Sequence, residues 1–124
     1  PYFGKIQSIP TVNEDATQGS AASALSFSVD YNYLLSSNAG DNSVILYNVN
    51  KEDGLLTKNF CLPISGEFPK DADIFPNNKF IVSLNHESGT LTFFKIDTKN
   101  GTMAMNGAPM KLAAPNSIIF HKLT

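Results

Sequence analysis

The stretch "KFIVSLNHESGTLTFFKIDTKNGTM", from Lys79 to Met103, repeats the pattern of an earlier stretch, "NYLLSSNAGDNSVILYNVNKEDGLL". The two align without a gap under a shift of 85 − 38 = 47 residues, which places Asn38 on Asn85 and Gly54 on Gly101. The apolar positions that coincide are Tyr33/Phe80, Leu34/Ile81, Leu35/Val82, Val44/Leu91, Leu46/Phe93, Tyr47/Phe94 and Val49/Ile96. A repeat of this length is typical of solenoids and propellers.

Nearly every apolar segment of the chain predicts a β-strand. "SALSFS" at 23–28 and "DADIF" at 71–75 alternate apolar and polar residues, and the runs that follow them are rich in β-branched and aromatic residues. Short turn segments such as "AGDN", "HESG" and "TKNG" separate the runs. A fourth strand follows each turn glycine, in "LLTKNFCLPI" and in "TMAMNGAPM". These features predict an all-β chain with two four-stranded antiparallel blades, at about residues 23–64 and 70–110.

The two ends of the chain each predict one more strand. "GKIQSIP" at 4–10 resembles the last strand of a preceding blade, and "APNSIIF" restarts the blade pattern, so lone strands are expected at about 4–10 and 115–121. Residues 1–124 are therefore interpreted as a partial β-propeller. Because closed propellers have 4 to 8 blades, an open arc leaves apolar blade faces uncovered. We expect this chain to form a homo-oligomer or to associate with the missing blades.

The amino-acid composition limits which partners, compartments and metal sites can be expected of the chain. Lysine and arginine together number 9 against 11 acidic residues, for a net charge of −2, so the chain lacks the basic surface that nucleic-acid binding needs. No apolar run approaches the length of a membrane span, so no membrane association is expected. The single cysteine, Cys61, has no partner for an internal disulfide, which favours a reducing, cytoplasmic location and a packed thiol. Two histidines, His86 and His121, form no metal-ligand spacing with it, and no metal or cofactor is expected.

Four polar residues are candidates for a site at the mouth of the central channel. Lys70 precedes an innermost strand, where a cation either binds phosphate or carboxylate or remains a solvated loop lysine. His86 lies at an inter-strand turn, where it acts as a general base or as a surface histidine. Asp71 and Asp73 flank the same innermost strand, and structural or solvent-facing roles are favoured for both. Lys70 is therefore the substrate-binding candidate and His86 the catalytic candidate.

The segment "GEFPKDADIFPNNKFIVSLNHESGTLTFFKIDTKNGTM", followed by "APNSIIF", resembles the carboxy-terminal blades of the lactonase-family seven-bladed propellers. That family includes a bacterial type of 6-phosphogluconolactonase and the fungal carboxymuconate cyclases. The resemblance rests on the Pro69-Lys70 pair, the asparagine that ends the second strand, and the "FFKID" strand with its "KNG" turn. It implies a carboxy-terminal fragment of a longer protein that hydrolyses an anionic sugar lactone such as 6-phosphogluconolactone.

The sequence also departs from the family pattern. Lys70 stands where these lactonases usually have arginine, and His86 stands where glutamine is frequent. Ala39 replaces a common arginine, and Ala24 lies where an acidic residue is expected. The two alanines favour one alternative, a non-catalytic propeller that binds a ligand or partner. A carboxymuconate-type cyclase remains the other alternative, and the fragment by itself is expected to be inactive.

Overall fold

The computed structural model describes residues 2–16 and 19–123, and their regular secondary structure consists of strands. The strands are β1 (Ala21–Phe27), β2 (Tyr33–Ala39), β3 (Ser43–Val49), β4 (Leu56–Pro63), β5 (Pro69–Ile74), β6 (Phe80–Asn85), β7 (Thr90–Asp97), β8 (Thr102–Met105) and β9 (Met110–Lys111). Within these described residues, no helix has the length and apolar character that a membrane crossing requires.

The strands form two antiparallel sheets in sequential order. β1 to β4 make the first sheet, here called blade 1, and β5 to β8 make the second, blade 2, in which β9 also pairs with β7. Blade 1 runs from Ala21 to Pro63 and blade 2 from Pro69 to Lys111. The repeats predicted from the sequence span residues 23–64 and 70–110. The pairing register repeats as well, since Asn38 faces Ser43 in blade 1 and Asn85 faces Thr90 in blade 2. The predicted all-β, partial propeller fold is confirmed.

A left-handed glycine closes the third connection of each blade. Gly54 has φ 75° and Gly101 has φ 66°, a backbone conformation that costs other residues free energy. Four residues before each glycine, a side-chain oxygen of Asn50 or Asp97 accepts a backbone N–H from two residues farther on. The sequences "NKEDG" and "TKNG" thus specify the same hairpin twice.

The fourth strand of blade 2 differs from the prediction. The sequence predicts one strand over residues 102–110, but β8 and β9 pair with opposite ends of β7 and are separated by residues 106–109. Gly107, with φ 89°, lies in this break, and Pro109 lacks the N–H that a strand ladder requires. The pairing therefore stops after Met105 and resumes at Met110.

An apolar layer joins the two blades. One side of blade 1 packs against the facing side of blade 2, and the buried members of this layer are Leu35, Val44, Leu46, Phe60, Ile64, Ala72, Ile74, Ile81, Phe94 and Ile96. Burying one large aliphatic or aromatic side chain is worth about 1.5 to 3 kcal/mol, so this layer is a principal source of stability.

Residues 4–10 form no strand, contrary to the prediction, because no described strand pairs with their backbone. Their side chains cover the outer side of blade 1 instead. The Gln7 side chain both donates to the Leu56 carbonyl and accepts from its N–H, each at 2.8 Å, and so imitates a ladder pair.

Ile9 packs on the second apolar cluster, which contains Tyr47, and the Tyr47 hydroxyl donates to the Pro10 carbonyl at 2.5 Å. Burial raises the pKa of Tyr47 to about 12, so it stays a neutral donor.

Residues 115–121 likewise form no strand, for the same reason. They lie along blade 2, where the Ile118 N–H donates to the Asp71 carboxylate at 3.0 Å. The Phe120 ring stands 4.5 Å from that of Phe75, centroid to centroid. The segment therefore covers blade 2 through side-chain and single backbone contacts rather than through a ladder.

Part of the outer side of blade 1 is left uncovered in the described chain. Leu25 and Phe27 on β1 are 70% and 52% exposed, whereas Ala72 and Ile74, their counterparts in blade 2, are each 2% exposed. The Tyr31 ring, 62% exposed, extends the same apolar patch, because its centroid lies 5.6 Å from that of Phe27. In blade 2 the equivalent positions are buried against blade 1, so the patch has the character of a blade-to-blade surface.

We expect the isolated 124-residue chain to self-associate through this patch, because a contiguous exposed apolar surface tends to be buried. Light scattering at micromolar concentration should give a mass above that of the monomer. Changing both Leu25 and Phe27 to lysine should return the chain to a monomer, whereas Leu123→Lys, at another exposed position, should not. A monodisperse wild-type monomer would refute the expectation.

Asn38 and Asn85 are fully buried and perform the same structural task in each blade. Asn38 donates to Ser43 Oγ across its β-hairpin and to the Thr11 carbonyl of the preceding segment. Asn85 donates to Thr90 and Thr92 hydroxyls and lies directly beneath Gly66, where an added Cβ would come within 2.2 Å of the amide nitrogen. The β4–β5 connection therefore passes over Asn85 at a position that only glycine fits.

Gly66→Ala should lower the free energy of unfolding by about 1 to 3 kcal/mol, the usual cost of overpacking a filled site. Urea denaturation of the variant and wild type measures the difference. Gly4→Ala is the matched control, because nothing lies within 4 Å of its added Cβ. Equal midpoints for Gly66→Ala and wild type would show that Asn85 moves aside without cost.

Candidate functional site

The first strands of the two blades lie on the inner side of the arc. β1 and β5 contact each other far more extensively than β4 and β8 do, so the blades converge toward their first strands. The β4–β5 connection and the β6–β7 turn meet at one end of blade 2, where the N–H groups of His86 and Glu87 donate to the carbonyls of Phe68 and Glu67 at 3.0 and 3.3 Å. This end of the inner strands is the candidate site.

Lys70 is the second residue of β5 and is half-buried at this end. Its ammonium group donates to Asn116 Oδ1 at 3.2 Å. An ammonium group carries three N–H donors, so this contact leaves donors for an anion. Lys70 therefore lies within the first strand of blade 2 rather than before it, and its binding role stays a prediction.

His86 follows the last residue of β6 and is half-buried. Its Nδ1 lies 3.3 Å from the Pro115 carbonyl oxygen. A carbonyl oxygen only accepts, so Nδ1 carries the proton in the neutral ring and Nε2 keeps its lone pair. This tautomer is the one that a general base acting through Nε2 requires.

The structure brings the two sequence-derived candidates to the same short segment. Lys70 contacts the side chain of Asn116. His86 contacts the carbonyl of Pro115, the residue just before Asn116. A cation and an imidazole from two different connections thus converge where residues 115 and 116 cross the end of blade 2.

Sequence reasoning missed two residues that hold this arrangement. Phe68 has φ 58°, an unusual conformation for a bulky side chain, and stands just before Pro69 and Lys70. Its N–H donates to Asn42 Oδ1 of blade 1 at 2.8 Å, while its carbonyl accepts the His86 N–H. Asn42 lies in a turn segment, which is a weak signal, and no sequence pattern indicates a left-handed phenylalanine. Together they link blade 1 to both candidate residues.

The two inner-strand aspartates have structural partners, as expected. Asp71 accepts the Ile118 N–H at 3.0 Å and thereby holds the carboxy-terminal segment. Asp73 accepts the Ser26 hydroxyl across the blade interface at 2.5 Å. Both carboxylates are therefore engaged in packing the inner strands.

Blade 1 contributes little chemistry to this end. Ala39, at the end of β2, is 6% exposed, and Ala24 is half-buried on β1, so neither offers a polar group. Ser23 stands 70 − 23 = 47 residues before Lys70, and its hydroxyl donates to the Pro69 carbonyl at 2.6 Å. On its own side of the candidate site, blade 1 therefore contributes a hydrogen bond to the Pro69 backbone rather than a charged side chain.

Cys61 lies on β4, the outermost strand of blade 1, and is buried beside Ser43 at the start of β3. Burial raises the pKa of the Cys61 thiol, which keeps it protonated near neutral pH and unsuited to nucleophilic attack. His121 is exposed in the carboxy-terminal segment. Across residues 2–16 and 19–123, no three histidine, cysteine or acidic side chains gather into a metal-binding group.

Comparison with known proteins gives consistent matches. The family described as "Lactonase, 7-bladed beta-propeller" matches residues 2–120. A 6-phosphogluconolactonase of Bacillus subtilis (strain 168) is 26% identical over 118 residues, which cover 95% of this chain and 34% of that protein. Another 6-phosphogluconolactonase, from Formosa agariphila, is 32% identical over 78 residues, or 61% of this chain and 22% of that protein.

Solved structures show the same likeness. The periplasmic gluconolactonase of Pseudomonas aeruginosa superposes with a TM-score of 0.81 at 21% identity, over 90% of this chain and 31% of that one. A putative 6-phosphogluconolactonase of Bacteroides fragilis gives a TM-score of 0.74 at 26% identity, over 89% of this chain and 30% of that one. The chain thus spans about a third of the length of these relatives. With residues 2–120 matched by one family model and its blades superposing on solved structures of similar fold, the protein belongs to the lactonase family of seven-bladed β-propellers.

Proposed function

We propose that the complete protein to which these blades belong hydrolyses an anionic sugar lactone of the 6-phosphogluconolactone type. The observation that carries the proposal is the convergence of Lys70 and His86 on residues 115 and 116 at one end of the inner strands. Relatives that bear the name 6-phosphogluconolactonase support the same substrate class.

In the proposed reaction, His86 Nε2 accepts a proton from water as the water oxygen attacks the ring carbonyl carbon. The carbonyl oxygen becomes an oxyanion, and its collapse breaks the bond between the carbonyl carbon and the ring oxygen. The ring oxygen leaves as a hydroxyl group by taking the proton that His86 Nε2 received from water, which restores the neutral imidazole, and the product is the open-chain acid. Lys70 binds the negatively charged end of the lactone and holds the ring against the base.

The 124-residue chain alone is proposed to be inactive. Propeller sites are built from connections around the whole ring, and these blades supply one side of such a site. Phe68 and Asn42 act within this portion by fixing the connections that carry Lys70 and His86.

A non-catalytic propeller is the second candidate. Ala24 and Ala39 favour it, since neither brings a polar group to the blade 1 side of the site. A ligand-binding propeller would use the same Lys70 and Asn116 contact without turnover.

Lys70→Ala should lower kcat/KM for 6-phosphogluconolactone about tenfold to a hundredfold, because a hydrogen bond to a charged group is worth about 1.5 to 3 kcal/mol. The assay uses the polypeptide as its gene encodes it. Lys79→Ala, an exposed lysine in the β5–β6 turn at the other end of the strands, should behave as wild type. Wild-type hydrolysis no faster than the spontaneous rate, with no sugar lactone bound in calorimetry, would leave the non-catalytic propeller as the better account.

His86→Ala should flatten the neutral-pH limb of the rate profile, because a general base must lose its proton before it can accept one from water. The measurement is kcat against pH from about 5 to 9, around the ordinary titration range of histidine. His121→Ala, at the exposed histidine, should keep the wild-type profile. An unchanged limb in His86→Ala would remove His86 from the role of base.

A further inference from the structure

Asn116 occupies the position in the next repeat that Lys70 occupies in blade 2. The pair Pro115-Asn116 follows Pro69-Lys70 by 116 − 70 = 46 residues, and both prolines are buried. Asn116 itself is exposed, so its side chain is available to a ligand at the same end of the inner strands.

The contact with Lys70 determines which part of the Asn116 amide is free. An ammonium group only donates, so the amide oxygen of Asn116 must face Lys70. The distance from Lys70 Nζ to Asn116 Oδ1 is 3.2 Å. The amide nitrogen then presents two N–H donors beside the remaining donors of the ammonium group. Adjacent donors that include one positive charge suit an oxyanion with several acceptor oxygens, such as a phosphate.

Two contacts fix the backbone on either side of Asn116. The Pro115 carbonyl accepts from His86, and the Ile118 N–H donates to Asp71. The side chain of Asn116 therefore projects from a segment held at Pro115 before it and at Ile118 after it, and little ordering is needed when an anion binds.

We propose that Asn116 is a specificity-determining residue that, with Lys70, binds the anionic end of the sugar lactone and selects phosphorylated over neutral lactones. The inference rests on the proposed function, which assigns binding to Lys70 alone. A purely structural role, in which Asn116 only ties the carboxy-terminal segment to Lys70, makes a different prediction. Loss of an anchor affects every substrate, whereas loss of an anion contact affects only charged ones.

The experiment compares 6-phosphogluconolactone with the neutral glucono-1,5-lactone in the polypeptide as its gene encodes it. Asn116→Asp should lower kcat/KM for the phosphorylated lactone at least about tenfold, because a carboxylate repels the phosphate and neutralises Lys70. Turnover of the neutral lactone should stay within about twofold of wild type. Asn116→Ala, which adds no charge, should give a smaller loss in the same direction.

Asn77→Asp is the matched control, since Asn77 is an exposed asparagine in the β5–β6 turn, and an aspartate there can still accept the Lys79 N–H. It should leave both substrates unaffected. Equal losses for the two lactones in Asn116→Asp, or no loss for either, would overturn the inference while leaving the Lys70 result intact.

A second readout separates this inference from the proposed function. If the wild type hydrolyses neither lactone, the hydrolase proposal fails, and calorimetry with the acid 6-phosphogluconate then tests the anion site directly. Weaker binding to Asn116→Asp than to wild type would support the site without catalysis. No binding to the wild type would overturn both.

Discussion

Blade 1 and blade 2 meet through one apolar layer in which Leu35 and Leu46 of the first sheet face Ile81 and Phe94 of the second. A single antiparallel sheet has two faces to cover, and neither blade can bury its own. The contact also sets the relative orientation of the sheets, and so it decides where the connections between strands end up. Every feature of the candidate site depends on that orientation.

Polar contacts between the first strands of the two blades, and between their first turns, hold the blades in one relative position. Asp73 accepts the Ser26 hydroxyl, and Ser23 donates to the Pro69 carbonyl, so β1 and β5 cannot slide past each other without losing these partly buried hydrogen bonds. At the other end of the strands, Asp30 accepts from Asn78 of blade 2. Hydrogen bonds from Ser28 and from the backbone of Asn32 lower the pKa of Asp30, which keeps this acceptor ionised. Apolar packing supplies most of the stability, and these contacts supply the alignment.

The candidate site arises where connections from different blades touch. Asn42 in blade 1 holds the strained Phe68, which in turn receives the His86 N–H and precedes Lys70 by two residues. Strain of this kind persists only where the surroundings determine the backbone more firmly than local preference does. The neighbouring segment at 115–118 is held by hydrogen bonds to His86 and Asp71. This side of the site is therefore also formed by tertiary contacts. Function in such a fold belongs to the ends of strands and not to the sheets.

The sequence alone predicts the fold class, the strand order and the two blades. Their signals are local: alternation of apolar residues, and turn glycines such as Gly54 and Gly101, act over a few neighbouring residues and recur at a fixed spacing. It also singled out Lys70 and His86 by residue type and position. The tertiary structure, and no local pattern, leaves the segments at 4–10 and 115–121 without strand pairing, since a strand exists only where a partner backbone is present. It likewise decided that Phe68 adopts a left-handed backbone and that Asn116 meets Lys70, because both depend on contacts between residues far apart in the chain, which no local pattern encodes.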